Sequence, residues 1–180
     1  MMTYIAFLRG INVGGHKVIK MDVLSHLFTS FKLKNVKTYI QSGNVIFETS
    51  EEDKKKLTSK IEKGLEKELG YEVIVILRTI ADLEKLVKHN PFKKHKAKSD
   101  ISFYISFLKS RSVPELEANL LTYTNDLEHF DIIDEDVAVS CQKNKGKPLF
   151  SNIFIEKKLN VAATTRNWTV VTKLVELYGS

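Results

Sequence analysis

The chain has 180 residues, of which 43% are hydrophobic, and its formal net charge at pH 7 is +6. This length suits one large or two small globular domains, the absence of an apolar run near ~20 residues excludes a membrane-spanning helix, and the single cysteine, Cys141, excludes an internal disulfide framework. With no secretory signal at the N-terminus, we expect a cytoplasmic protein that does not bind membranes.

The first half of the chain alternates short apolar segments with amphipathic ones. Residues 3–8 (TYIAFL) predict a buried strand, and residues 8–15 (LRGINVGG) predict a built glycine loop after it. Apolar residues at helical spacing predict a helix from Met21 to Phe31. Two strands, 36–41 and 45–49, then flank the turn Ser42-Gly43-Asn44.

A second helix and a fourth strand complete this half. Ser50 to Asp53 resembles a capping box, and a leucine- and isoleucine-rich stripe follows it as far as Gly70, a typical residue at the end of a helix. The segment 72–78 predicts the last strand. The order βαββαβ is that of a ferredoxin-like unit, so residues 1–78 are predicted to form one domain.

Residues 79–180 are predicted to form a second, plait-like half. The predicted elements are a helix capped by Thr79 and ended by Pro91, a basic linker 93–98, a strand 101–108, a helix opened by a capping box at 112–115, a hairpin of 130–133 and 137–141, and helices over 151–158 and 166–178. The fold class is therefore α+β: two ferredoxin-like halves with antiparallel sheets and extra C-terminal helices. The likeness of the halves is architectural, without a strong residue-level repeat.

Two polar, glycine-bearing loops are expected at one edge of the first sheet. In a βαββαβ unit the first two strands run parallel, so the loops that leave them at Arg9 and Ser42 end side by side. An anion is favoured there by the guanidinium of an arginine, by glycine N–H groups, and by neutral amide or hydroxyl groups. The alternative is that the glycines only shape the turn and Arg9 pairs with a carboxylate. The predicted ligand-binding residues in these loops are Arg9, Asn12, Gly14, Gly15, Ser42, Gly43 and Asn44.

No catalytic, cofactor or metal motif is recognisable. Gly10 and Gly15 match a phosphate-binding P-loop, but His16 and Lys17 stand where Lys and Ser/Thr are required. The histidines are too scattered for a zinc site, and His16 alone is a candidate acid or base. Cys141 lies on a predicted strand, which favours a buried thiol over a nucleophile.

A third polar cluster, Thr164-Thr165-Arg166-Asn167-Trp168, precedes the last apolar stripe. Thr164 or Thr165 is predicted to cap the last helix, which places Arg166 and Asn167 in its first turn, where anions bind readily. An arginine opposes the helix dipole, so Arg166 is expected to have a carboxylate or a ligand as its partner. For Trp168 we expect core packing.

Three segments together resemble the bacterial domain-of-unknown-function family 1697: 8–15 (LRGINVGG), 38–47 (TYIQSGNVIF) and 164–174 (TTRNWTVVTKL). The family's C-terminal pattern reads RNWNTV, so Arg166, Asn167 and Trp168 match while Thr169 and Val170 differ. The resemblance implies two ferredoxin-like parts and supplies no activity, substrate or cofactor. It also implies that the motif residues form one site, which adds Arg166 and Asn167 to the predicted ligand-binding residues.

Three functions are compatible with the sequence. The first is binding of a small anionic or phosphate-bearing ligand, with or without chemistry. The second is a nucleic-acid-binding module, because ferredoxin-like folds include the RNA-recognition motif, Tyr4 sits where that motif has an aromatic, and both the helix 54–67 and the linker 93–98 are lysine-rich. The third is a structural or interaction protein in which Arg9 and Arg166 form buried ion pairs that lock the halves together.

Overall fold

The computed structural model describes residues 1–15, 17–94 and 100–180. Two predictions, His16 as an acid or base and the part of the basic linker from 95 to 98, lie outside these residues. Contacts divide the chain into two compact units, Met1–Asp82 and Leu83–Ser180. None of the described helices is long and apolar enough to cross a membrane.

The first unit contains four strands and two helices in the order βαββαβ, and the third helix of the chain starts at its end. The elements are β1 (Met2–Leu8), α1 (Met21–Ser30), β2 (Lys34–Tyr39), β3 (Asn44–Thr49), α2 (Lys54–Leu69), β4 (Val75–Thr79) and α3 (Ile80–His89). The strands form an antiparallel sheet in the order β2-β3-β1-β4. Since β3 lies between β1 and β2, the latter two are parallel and end at the same edge, as predicted.

Helices α1 and α2 share a core with alternate residues of the sheet. Tyr4 and Phe47 stack with ring centroids 5.9 Å apart, and Phe28 of α1 lies 5.7 Å from Phe47. From α2, Ile61 and Leu65 join the same buried cluster. Because strand residues alternate between faces, these contacts fix the register that places both loops at one edge.

The ends of α2 show why this helix was predictable. Asp53 is its N-cap, and the carboxylate accepts the N–H groups of Lys55 and Lys56 at 2.9 and 3.0 Å. Gly70 ends the helix in the left-handed region, with φ of 75°. Gly70 ends the helix as predicted, but the capping box predicted from Ser50 is wrong, because the N-cap is Asp53, three residues later.

The second unit is a complete plait rather than the partial one that the sequence suggested. After α3 it contains β5 (Ile101–Leu108), α4 (Pro114–Leu121), β6 (Glu128–Ile133), β7 (Asp136–Gln142), α5 (Asn152–Leu159), β8 (Ala163–Asn167) and α6 (Trp168–Tyr178). The strand order β6-β7-β5-β8 repeats that of the first sheet. The fold class is therefore confirmed as α+β with two ferredoxin-like halves, and the helix that follows β8 is α6.

Three further local predictions are wrong. Residues 163–167 form strand β8, so Thr164 and Thr165 do not cap a helix and Arg166 is not in a first turn. The N-cap of α4 is Val113, and the Ser112 hydroxyl instead donates to the Leu159 carbonyl at 2.8 Å. Asn44 is the first residue of β3, not part of the turn.

The two units also repeat at the level of residues, which the sequence analysis did not identify. Tyr4–Leu8 (YIAFL) and Tyr104–Leu108 (YISFL) are identical at four of five positions and occupy equivalent places in β1 and β5. In each unit the residue after this segment donates its N–H to the residue before the last strand: Arg9 to the Ile74 carbonyl at 2.9 Å and Lys109 to the Ala162 carbonyl at 2.8 Å. The chain therefore contains two consecutive copies of one plait topology.

Candidate functional site

The glycine loop and the turn between β2 and β3 are in direct contact at one edge of the first sheet. Leu8 donates its N–H to the Gly43 carbonyl at 2.9 Å. The Asn12 amide donates to the Gln41 carbonyl, also at 2.9 Å. The prediction that these two segments meet at one edge is confirmed.

Asn12 closes the glycine loop upon itself. Its side-chain oxygen accepts the Ile19 N–H at 2.7 Å, its Nδ2 donates to the Ile19 carbonyl at 3.0 Å, and its backbone N–H donates to the Lys17 carbonyl at 3.2 Å. Its φ of 54° is one that asparagine tolerates better than most residues. The side chain of Asn12 therefore has a structural role, which is to connect the start of the glycine loop to Ile19 at its end.

Gly43 lies where no side chain fits. A Cβ at this position would come within 2.7 Å of Ile11 Cδ1 and 3.1 Å of Leu8 Cβ, and its φ is 75°. Ile11 is 2% exposed and belongs to the core of the first unit. Glycine at 43 is thus required because the loop packs directly on the turn.

Asn44 is buried, and its side chain connects the end of β2 to the turn. Its Nδ2 donates to the Tyr39 carbonyl and to the Ser42 hydroxyl, both at 2.9 Å. The residue is fully enclosed, and Ser42 is half-buried. Asn44 and Ser42 therefore stabilise the turn on which the glycine loop packs. The Asn44 amide and the Ser42 hydroxyl are hydrogen-bonded to each other in this turn.

The tip of the loop is exposed, and residues with positive φ are concentrated in the loop and the adjoining turn. Val13 is 65% exposed, and Gly14 and Gly15 are exposed beside it. Of the fourteen described residues with positive φ, seven lie in the two adjoining segments: Gly10, Asn12, Gly14, Gly15, Lys17, Ile40 and Gly43. A β-branched residue such as Ile40, with φ of 49°, is costly in this region, and backbone strain of this kind concentrates at functional sites.

The other side of the loop contacts the segment before β4. Lys17 donates from Nζ to the Glu72 carbonyl at 3.1 Å and lies 4.8 Å from the centre of the Tyr71 ring. Arg9 is half-buried, and its N–H holds the start of the loop against Ile74. The loop is thus held from two directions, although its tip is open.

The second unit shows what the plait needs at this position. The connection from β5 to α4 covers residues 109–113, whereas that from β1 to α1 covers residues 9–20 and is seven residues longer. The shorter connection contains no residue with positive φ. The glycine loop is therefore an addition to the fold rather than a requirement of it.

Arg166 and Asn167 belong to the second unit and have local structural contacts. Arg166 is 7% exposed in β8, and its Nη1 donates to the Thr164 hydroxyl at 2.8 Å and to the Thr165 carbonyl at 2.9 Å. Burial lowers the pKa of Arg166 to about 10, so the guanidinium is charged at pH 7. Asn167 is the N-cap of α6 and accepts the Thr169 N–H at 2.9 Å.

The first unit contains a counterpart of Arg166 that the sequence analysis missed. Arg78 is 4% exposed and lies in β4 opposite Ile5, just as Arg166 lies in β8 opposite Ile105. Its Nη1 donates to the carbonyl of Leu77, the residue before it, at 2.8 Å. Alignment of the last strand of each unit would have revealed the pair.

Other sequence-based candidates turn out to be parts of the core. Tyr4 packs between the sheet and the helices at 2% exposure, so it cannot stack on a nucleic-acid base. Burial also raises the pKa of the Cys141 thiol to about 11, and the residue is 7% exposed, as predicted for a structural thiol. Within residues 1–15, 17–94 and 100–180, no cluster of three or more His, Cys, Asp or Glu could hold a metal ion.

Comparisons with known proteins agree with this fold. Residues 1–137 match a family described as protein of unknown function, DUF1697. The structure of the conserved bacterial protein SP0830 from Streptococcus pneumoniae superposes with a TM-score of 0.71 at 21% identity, covering 100% of this chain and 99% of that one. At this identity the likeness concerns the fold alone. No curated protein matches the chain.

Proposed function

We propose that this chain, which belongs to the DUF1697 family of proteins of unknown function, binds a small anionic or phosphate-bearing ligand at the glycine loop of its first unit. The observation that carries the proposal is the seven-residue extension of that loop, compared with the short connection in the duplicate unit, together with the positive φ of Lys17 in the loop and of Ile40 in the adjoining turn. Strain and extra length persist where they serve a function, and loops on a rigid scaffold are where binding residues concentrate.

The chemistry of the loop suits an anion. Gly14 and Gly15 have no side chains that would shield their N–H groups, and Gly15 has no atom within 4 Å of the place where a Cβ would stand. Arg9 adds a cation at the base of the loop. The N-cap of α1 is Lys20, whose ammonium group has no acceptor, so no side chain of the N-cap caps the N–H groups of the first turn.

The motif residues divide into two roles under this proposal. Asn12, Gly43 and Asn44 hold the loop in place, because their contacts are made within the loop and the turn. Arg9, Gly14 and Gly15 are the candidate ligand-binding residues, and Ser42 lies beside them in the adjoining turn. The proposal does not use Arg166 and Asn167, whose hydrogen bonds to Thr164, Thr165 and Thr169 lie within the second unit.

A matched pair of substitutions tests the proposal. Gly15→Asn and Gly15→Asp have nearly the same shape, and both residues tolerate positive φ, so they differ mainly in charge. Binding of inorganic pyrophosphate would be measured by calorimetry and by shifts of the Gly14 and Gly15 amide signals in NMR spectra. We expect Gly15→Asp to weaken binding at least about tenfold through like-charge repulsion, and Gly15→Asn to weaken it less.

Arg9 has its own control in the duplicate unit. Lys109 occupies the equivalent position after β5, with the equivalent N–H contact. We expect Arg9→Ala to reduce pyrophosphate binding and Lys109→Ala to leave it unchanged, with both variants folded. If pyrophosphate moves no amide signal of the loop, or if the Asp and Asn variants bind it equally, the proposal is wrong.

A further inference from the structure

The second unit contains a groove between the C-terminal half of α3 and the hairpin β6–β7. Its volume is about 510 Å³, within the range of small-molecule pockets, which is roughly 300–1,000 Å³. Its apolar lining comes from Leu86 of α3 and from Ile132 and Ile133 at the end of β6. Leu86 is 9% exposed and the two isoleucines are half-buried, so the floor is an apolar surface that still contacts solvent.

Basic side chains surround this floor. Lys88 and His89 at the end of α3, together with Lys93, line the groove and are exposed. Lys85 also lines it and pairs with Asp134, with Nζ and Oδ2 3.1 Å apart. Three lysines and a histidine thus accompany one carboxylate, which makes the groove positive.

The position of Lys93 is defined by a short turn. Asn90 has a φ of 44°, its carbonyl accepts the Lys93 N–H at 3.2 Å, and its Oδ1 accepts the Phe92 N–H at 3.1 Å. Phe92 is buried against Phe103 and Trp168, with ring centroids 4.7 and 5.2 Å away. This packing returns the chain to the end of α3 and sets Lys93 beside the groove before any ligand arrives.

We propose that this groove binds a small amphiphilic anion: an organic carboxylate, sulfonate or phosphate ester with an apolar body. The body would lie on Leu86, Ile132 and Ile133, where it removes apolar surface from water. The anionic group would lie between Lys88 and Lys93. The site is separate from the glycine loop, and neither proposal depends on the other.

Two dyes of similar shape, one anionic and one neutral, test whether the groove recognises both an anionic group and an apolar body. The anion 1-anilinonaphthalene-8-sulfonate and its neutral counterpart N-phenyl-1-naphthylamine would be titrated by fluorescence against the full chain. Lys88→Glu/Lys93→Glu reverses two charges of the groove. Lys145→Glu/Lys157→Glu makes the same change in net charge at exposed positions of the same unit that do not line the groove. Circular dichroism and thermal melts verify that the variants are folded.

We expect one saturable site for the sulfonate, weakened at least about tenfold by the groove variant and less than about twofold by the control pair. The neutral dye should bind more weakly to the wild-type chain and be insensitive to both pairs. In the floor variant Ile133→Asp, both dyes should lose affinity. Equal effects of the two lysine pairs, equal affinity for the two dyes, or the absence of a saturable site would each overturn the proposal.

Discussion

Arg78 and Arg166 are equivalent residues in the two copies of the plait. Each lies in the last strand of its sheet opposite an isoleucine of the first strand, and each donates Nη1 to the carbonyl of the residue before it. Both are nearly enclosed, at 4% and 7% exposure. Because a buried cation is costly without such partners, its presence at both positions indicates a requirement of the plait rather than of one ligand site.

Arg166→Ala should therefore destabilise the fold. It leaves the Thr164 hydroxyl and the Thr165 carbonyl without this donor and removes a large buried side chain. We expect the free energy of unfolding to fall by about 2–4 kcal/mol, measured by urea denaturation. Lys157→Ala, at an exposed position of the same unit, should change it by less than about 0.5 kcal/mol. A stable Arg166→Ala variant would mean that the arginine is kept for another purpose.

Gly43→Ala should be more damaging than Gly70→Ala. Both glycines have a φ of 75°, so the backbone penalty is shared. At Gly43 the new methyl group would lie 2.7 Å from Ile11 Cδ1, whereas at Gly70 nothing lies within 4 Å. We expect the loss in stability at Gly43 to exceed that at Gly70 by about 1–3 kcal/mol, measured by thermal and urea denaturation. Equal losses would show that the loop can move away from the turn.

Asn12→Asp should release the glycine loop while leaving the fold largely intact. The carboxylate can still accept the Ile19 N–H, but it has no hydrogen to donate to the carbonyls of Ile19 and Gln41 and repels both. We expect faster amide hydrogen exchange and faster proteolysis within residues 13–18 than in the wild-type chain. Unchanged exchange in this segment would contradict the closing role of Asn12.

Cys141 should react slowly with thiol reagents in the folded protein. Its pKa rises from 9.0 to about 11, chiefly through burial, so at pH 8 its thiolate fraction is about a hundredfold lower than in the unfolded chain. Because the folded pKa is the higher one, the linked stability is complete below pH 9 and is lost as the pH rises toward 11. Alkylation by iodoacetamide at pH 8, with and without urea, checks this, and equal rates would refute it.

Where local signals agree, the sequence predicts this fold well. Strand β5 has the same bounds, Ile101–Leu108, in the prediction and in the structure, because a continuous apolar and aromatic run is difficult to place elsewhere than in a sheet. Helix α2 was predictable from its apolar stripe and from Gly70. The meeting of the two loops followed from strand order alone, since β1 and β2 must end at one edge.

Strand β8 was missed because its residues have no strand-like pattern. Ala163 and Arg166 are buried and Thr165 is half-buried, so polarity does not alternate with exposure. The hydroxyl of Thr165 is held by Ser106 at 2.8 Å, a contact between residues 59 positions apart. Tertiary contacts of this kind decide the structure of a polar segment, and no local rule detects them.

Local sequence patterns also did not predict the roles of the motif residues. The sequence predicted Asn12, Gly43 and Asn44 to bind a ligand. In the structure the two asparagine amides make hydrogen bonds within the loop and the turn, and Gly43 allows these two segments to pack closely. Interatomic distances are needed to distinguish a residue that supports the loop from one that could bind a ligand. The duplication itself was detectable, because YIAFL and YISFL stand a hundred positions apart in the chain.

The long connection at residues 9–20 and the short one at 109–113 differ although they occupy the same place in two copies of one fold. Because the two plaits are parts of one polypeptide, an insertion in one connection leaves the other unchanged. The first unit can therefore carry a longer, glycine-rich connection, while the second keeps the short one.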